Sequence, residues 1–286
     1  MVYLIVVSLV WGLSFGLIKT QLAGLDASFV SLVRLGLSLV LFLPWLRPRA
    51  VPAPMAARLA GVGAVQFGLM YVAYVASFRF LQAYQVALFT IFTPLYVTLI
   101  NDLCARRFHA HFLFTVALAV AGTGVLVYHE IRPADLGAGF ALIQFSNLCF
   151  AAGQVFYPRL MRRCPGVKDT QVFGFVYAGA VAAAGVAALL TTDWQHTHVT
   201  REQVGVLLYL GLVASGLCFF LWNFGARRTN PGALAIANNL KIPFAILCSV
   251  LFFGESVACP KLLAGGALIA GSLWLNQWLV RRRPVE

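Results

Sequence analysis

The chain has 286 residues, 61% hydrophobic and 10% charged, where a soluble domain carries roughly a quarter charged residues. This balance excludes a water-soluble globular domain and points to a polytopic membrane protein. The net charge of +12 invites a nucleic-acid reading, but the placement of the cations accounts for it otherwise.

A helix needs about 20 mostly apolar residues to cross a bilayer. With Pro, Gly and charge clusters as punctuation, the sequence predicts ten such spans. The first, 2–18, opens without a cationic region or a small-residue cleavage site, so it reads as a retained span and not a signal peptide. It carries Trp11 and Ser14 around the spacing Gly12-x-x-x-Gly16. The second, 28–46, holds Arg34, and the third, 58–78, sets Gln66, Met70, Tyr74 and Ser77 on one face. In the fourth, 84–101, Thr90 and Thr93 stand just ahead of Pro94, and the fifth covers 111–128. The sixth, 136–157, carries Gln144, Asn147, Ala151 and Gln154 at spacings of 3, 4 and 3, a polar stripe on one helical face. The seventh is 170–190, and the eighth, 203–223, clusters Ser215, Phe219, Trp222 and Asn223. The ninth, 232–253, contains "LAIANNLKIPFAIL", with Asn238, Asn239, Lys241 and Pro243 inside an apolar run; the tenth is 261–279.

The cations test this count. With a cytoplasmic N-terminus, the inner connections hold 14 Lys/Arg and the outer ones hold 5 (Lys19, Arg79, Arg132, Arg201 and Lys261). A miscounted span would swap the side of every later loop, so the positive-inside rule favours ten spans with both termini cytoplasmic. The same distribution accounts for most of the net charge without nucleic acid.

The halves are related. "FTIFTPLYVTLINDLCAR" (89–106) aligns with "NNLKIPFAILCSVLFFGE" (238–255) at an offset of 149, which sets Pro94 over Pro243 and "AGT" (121–123) over "AGS" (270–272). "WGLSF" (11–15) matches "FAAGQ" (150–154) more weakly. Five helices per half is an odd number, so the second half lies upside down relative to the first. The expected fold is therefore all-α, ten transmembrane helices in two inverted repeats, residues 1–132 and 133–286. Inverted halves with matching proline-bearing helices point to alternating access around a site near the midplane. Pro94 and Pro243 are expected as structural helix breaks whose freed backbone groups need partners.

These residues resemble the EamA family of the drug/metabolite transporter (DMT) superfamily. The similarity rests on "WGLSFGLIK" (11–19), Arg34, the Pro94 and Pro243 helices, and "FGE" (253–255), and it spans essentially the whole chain. The first half departs from the pattern, with Ala105 and Arg106 where the second has Gly254 and Glu255. The resemblance implies a carrier with a central cavity lined by both halves, in the bacterial cytoplasmic (inner) membrane. Longer runs, "GAVQFGLMY" (63–71), "LFTIFTPLYVTLIND" (88–102), "QFSNLCFAAGQVFY" (144–157) and "VASGLCFFLWNFGA" (213–226), are similar to the biotin permeases of that superfamily. They imply uptake of a small carboxylate-bearing metabolite, biotin first; the alternative is an exporter of amino acids or related metabolites.

Polar residues within membrane helices rarely face lipid, so their faces mark the interior. The substrate-binding candidates are Lys241, Asn238, Asn239, Trp11, Ser14, Gln66, Tyr74, Thr90, Asn147, Gln154 and Trp222. Any one of them could instead bind a neighbouring helix, and Gly12 and Gly16 could serve close packing. Charge at a helix centre costs roughly 2.5–3.5 kcal/mol on insertion scales, and no Asp or Glu lies at the depth of Arg34 or Lys241. Three roles are open to Lys241: pairing with carbonyls freed at a proline, relaying protons in a neutral form, or binding an anionic substrate. The stripe Ala237, Asn238, Lys241, Ala245 and Cys248, small or polar around the cation, favours the anion. Arg34, nearer the outer surface, reads as structural. Without intramembrane carboxylates, transport is expected to be facilitated, exchanging, or coupled through the substrate's own charge. An enzyme is not expected, because all five histidines lie in or near loops. The pair His196-x-His198 is too few ligands for a metal, and no cofactor is implied.

Overall fold

The structure, a computed structural model, describes residues 2–106, 133–228 and 231–254, together with the single positions 264, 267, 268, 271, 274, 275 and 278. The expected spans 111–128 and, apart from those single positions, 261–279 lie outside the described residues, as does Glu255. Eight helices are described: α1 (Val2–Gln21), α2 (Ala27–Phe42), α3 (Ala53–Ser77), α4 (Ala83–Ala105), α5 (Pro133–Arg162), α6 (Asp169–Thr191), α7 (Arg201–Ala226) and α8 (Pro231–Phe253). The first seven are long and apolar enough to cross a membrane, α1 and α2 over Tyr3–Gln21 and Ala27–Trp45.

Two helix pairs share one geometry. Along α1 and α8, Ser8 donates to the Ala237 carbonyl (2.8 Å), Gly12 packs on Phe244 and Ala245, and Gly16 packs on Phe253. Contacts that advance together along both chains make the helices parallel. Along α4 and α5, Asn147 donates to the Phe89 carbonyl (2.8 Å) and Arg159 to Asn101 (3.0 Å), again in parallel. In both pairs, small residues let the backbones approach: Gly12 and Gly16 in the first, Ala151 against Ile100 and Tyr96 in the second.

α3 and α7 each contain a π-helical stretch, Ala64–Leu69 and Tyr209–Leu217. A π turn inserts an extra residue and re-aims every side chain beyond it. The Ser215 hydroxyl uses the widened turn to donate to the Leu210 carbonyl five residues back (2.7 Å). Pro94 cannot donate to the Thr90 carbonyl, and α4 tightens to a 3₁₀ turn at Thr90–Phe92. The Thr93 hydroxyl bonds that carbonyl (2.8 Å) while Asn147 takes Phe89's. α8 runs through Pro243 as one helix. α4 stops at Arg106 in a left-handed conformation (φ 51°), and α8 stops at Gly254 (φ 65°).

Hydrogen bonds tie the connections into two separate ends. At one end Lys19 bonds the Phe78 carbonyl, Asp26 bonds Arg79 and Thr192, and Gln203 bonds the Gln21 carbonyl. At the other, Arg47 N–H bonds the Gln171 carbonyl, Asp169 receives Tyr157 and Arg227, and Arg159 meets Asn101. The arginines of these connections therefore gather mostly at the second end.

Candidate functional site

A cavity with about 520 Å³ of atom-free space, part of it open to solvent, opens among α1–α5, α7 and α8. Trp11, Ser14 and Phe15 of α1 line it, with Arg34 of α2 and Met70, Tyr71 and Tyr74 of α3. Thr90 and Thr93 of α4, Ser146, Asn147 and Phe150 of α5, Phe219 of α7 and Lys241 of α8 complete the wall. Among the described residues, two cations and no carboxylate face this space.

Lys241 is 5% exposed. Its ammonium donates to Asn238 Oδ1 (3.2 Å) and stands 5.4 Å from the centre of the Trp11 ring, within cation–π range. Trp11 is held by its own N–H, which donates to the Ala214 carbonyl (2.9 Å), and by Trp222, whose ring lies 5.1 Å behind it. An ammonium has three donors, so two remain for a ligand once Asn238 has taken one.

Arg34, 1% exposed, is the second cation. Its Nε donates to Ser215 Oγ (3.2 Å) and its Nη2 to Tyr71 OH (2.8 Å). The Ser215 proton is committed to Leu210, so Tyr71 donates to Ser215 across 2.9 Å. Nη1 has no hydrogen-bond partner among the described residues.

Six of the sequence candidates meet in this cavity: Lys241, Trp11, Ser14, Tyr74, Thr90 and Asn147. Asn238 sits behind Lys241 and orients it, and Asn239 accepts a long hydrogen bond from Asn238 (3.4 Å) without lining the cavity. Trp222 backs the aromatic wall without lining it. Gln66 points elsewhere: it donates to Asn223 (3.1 Å) and packs on Gly153. Gln154 is buried with its amide nitrogen unpartnered, and Gln144 bonds Tyr96 and Asn147. The polar stripe of α5 thus faces α4 more than the cavity. Asn147 does both, accepting from Thr93 (3.2 Å) while lining the space.

Sequence reasoning passed over Tyr71, Ser146, Phe150 and the cavity position of Arg34. The π turn at Ala64–Leu69 explains the case of α3: its extra residue turns Gln66 away from the face that carries Met70, Tyr71 and Tyr74. For Arg34, the available signal was Ser215, a polar residue that the sequence already set on an interior face.

The EamA-like transporter family model matches the chain twice, over residues 1–128 and 137–277. The chain belongs to the EamA-like transporter family. This family member is 40% identical over 286 residues to a "Probable biotin transporter" of Pseudomonas aeruginosa, covering 99% of each chain. It is 36% identical to the "Biotin transporter" of Salmonella typhimurium over 288 residues (100% of this chain, 96% of the relative). To that of Escherichia coli (strain K12) it is also 36% identical, over 285 residues (99% and 95%). One crystal structure superposes with a TM-score of 0.67 over 99% of this chain and 98% of its own at 17% identity, which supports the fold alone. As an EamA-like transporter the protein is multi-pass in the bacterial inner membrane, takes a small-molecule substrate, and is not an enzyme.

Proposed function

We propose that this transporter takes up biotin, a small carboxylate-bearing metabolite, by alternating access, with Lys241 as the carboxylate anchor. The observation that carries the reading is a buried ammonium in a cavity with no acidic side chain among the described residues. A buried charge without a counter-charge is costly, and an incoming carboxylate would relieve that cost. Trp11, Tyr74, Phe150 and Phe219 offer an apolar wall for the body of such a substrate, while Thr90 and Asn147 offer polar contacts. The names of the relatives, biotin transporters at 36–40% identity, support biotin over other carboxylates.

The proposal extends to topology. The chain is read as ten spans in two inverted repeats, 1–132 and 133–286, with both termini cytoplasmic. Several features support this. Ser8 and Asn147 are equivalent under the offset between "WGLSF" and "FAAGQ", and both bond carbonyls, Ala237 and Phe89, that lie one residue from equivalence. The π-helical stretches of α3 and α7 fall in matching helices. The parallel run of α4 and α5 supports a crossing between them. Alternating access would open first one tied end and then the other around Lys241.

A biotin-auxotrophic bacterium lacking its own uptake system tests the function. Expression of this chain is expected to restore growth on limiting biotin and uptake of labelled biotin. Resistance to a toxic amino acid, with no biotin uptake, would replace the reading with that of an exporter.

A further inference from the structure

We propose that Arg34 is a second recognition point in the same cavity, one that takes a neutral carbonyl oxygen at the far end of the substrate. The proposal rests on the assignment of the carboxylate to Lys241. It defines the substrate class as a monocarboxylate whose other end bears a urea- or amide-type carbonyl.

Three observations carry it. First, Arg34 is 1% exposed and lines the cavity, and its Nη1 is buried with no partner among the described residues. Buried donors are nearly always satisfied, and an unpaired one on a permanent charge calls for a ligand. Second, no carboxylate among the described residues shares the cavity, so none of them supplies the missing acceptor.

Third, the side-on fork of Arg34 is already engaged. Arginine grips a carboxylate best with two parallel N–H groups from neighbouring nitrogens. Here the fork of Nε and Nη2 is taken by Ser215 (3.2 Å) and Tyr71 (2.8 Å), and the guanidinium carbon stands 4.5 Å from the centre of the Tyr71 ring. The Tyr71–Ser215 hydrogen bond and the Ser215–Leu210 bond lock this arrangement. What remains is the second N–H of Nη2 and both of Nη1, the nitrogen with no partner among the described residues, which can serve a carbonyl oxygen. Lys241, a compact point charge with two donors left, meets a carboxylate without needing a fork.

Competition binding against labelled biotin on the purified full-length transporter tests this. Two probes are used: biotin methyl ester, which lacks the carboxylate charge, and a biotin analogue with a thiocarbonyl, a weaker acceptor, in place of the ureido carbonyl. The unaltered protein is expected to prefer biotin over the thiocarbonyl analogue by about tenfold or more, the worth of a hydrogen bond from a charged donor. In Arg34→Met that preference should fall to within about twofold, while the preference for biotin over its methyl ester persists. Lys241→Met should show the reverse. If Arg34→Met does not fold, Tyr71→Phe, which removes the acceptor at Nη2, should narrow the thiocarbonyl preference and leave the ester preference intact.

Unchanged thiocarbonyl discrimination in these variants overturns the proposal. So does loss of ester discrimination in Arg34→Met, which would make Arg34 the carboxylate anchor. Absence of any biotin binding by the unaltered protein overturns the functional reading and this proposal together, and so is distinguishable from failure of the proposal alone.

Discussion

At the scale of single residues, Lys241 and its support are set to act as a unit. Asn238 draws the ammonium to a fixed place (3.2 Å) and Trp11 lies beneath it. Removing Asn238 leaves the charge but loosens its position. Asn238→Ala is therefore expected to weaken biotin binding by about five- to tenfold, roughly the net worth of one hydrogen bond, with a smaller loss for the methyl ester, so that the preference for acid over ester narrows. Trp11→Phe keeps a ring beneath Lys241 but loses the donor to Ala214, and should cost less than Asn238→Ala. Titration calorimetry on the purified variants checks both, and equal losses in acid and ester binding would assign Asn238 to packing.

At the scale of elements, α3 and α6 approach so closely that a methyl group has no room. A Cβ on Gly63 would lie 1.8 Å from the Val176 carbonyl oxygen, and one on Gly179 would lie 1.8 Å from that of Ala60. Both obstacles are backbone, so the helices themselves must separate. Gly179→Ala is expected to lower stability by about 1–3 kcal/mol or more, read as a lower melting temperature in detergent, whereas Gly36→Ala, which meets nothing, should leave it unchanged. The helices themselves were legible in the sequence, because a long apolar run bounded by Pro, Gly and Arg has few other fates. The site was legible only in part. Lys241, Trp11, Ser14, Tyr74, Thr90 and Asn147 show themselves as polar or aromatic interruptions on regular faces. The sequence sets Gln66 on the face of Met70 and passes over Tyr71 because the face is counted through a π turn, and such a turn leaves no composition mark in "AVQFGL". The role of Arg34 depends on α7, whose Ser215 reaches it from 181 positions away, and single-helix periodicity carries no such pairing.

At the scale of the whole molecule, one carboxylate ties three connections at the lightly charged end. Asp26 caps α2 by accepting from the Ser28 and Phe29 N–H groups, and it also receives Thr192 (2.6 Å) and Arg79 (3.1 Å). Burial works to raise its pKa, but the bonds from Thr192, Phe29 and Ser28, with the Arg79 charge, outweigh it and hold the carboxyl below its ordinary value of 3.8. A depressed pKa stabilises the folded form above the unfolded value, and that contribution is lost as pH falls through the folded value. Acidification below about pH 4 should therefore loosen this end, and Asp26→Asn should lose stability at neutral pH and respond less to acid. Melting curves of both proteins from pH 7 to pH 3 check this; parallel curves would show that Asp26 is not the titrating tie.

The claim on which the rest depends is that Lys241 anchors a substrate carboxylate. Equilibrium binding of labelled biotin and of biotin methyl ester to the purified transporter, with and without Lys241→Met, tests it most directly. The expected result is a loss of about tenfold or more for biotin and no change for the ester, in a variant that inserts and melts as the original does. Equal affinity for biotin in the two proteins would contradict it.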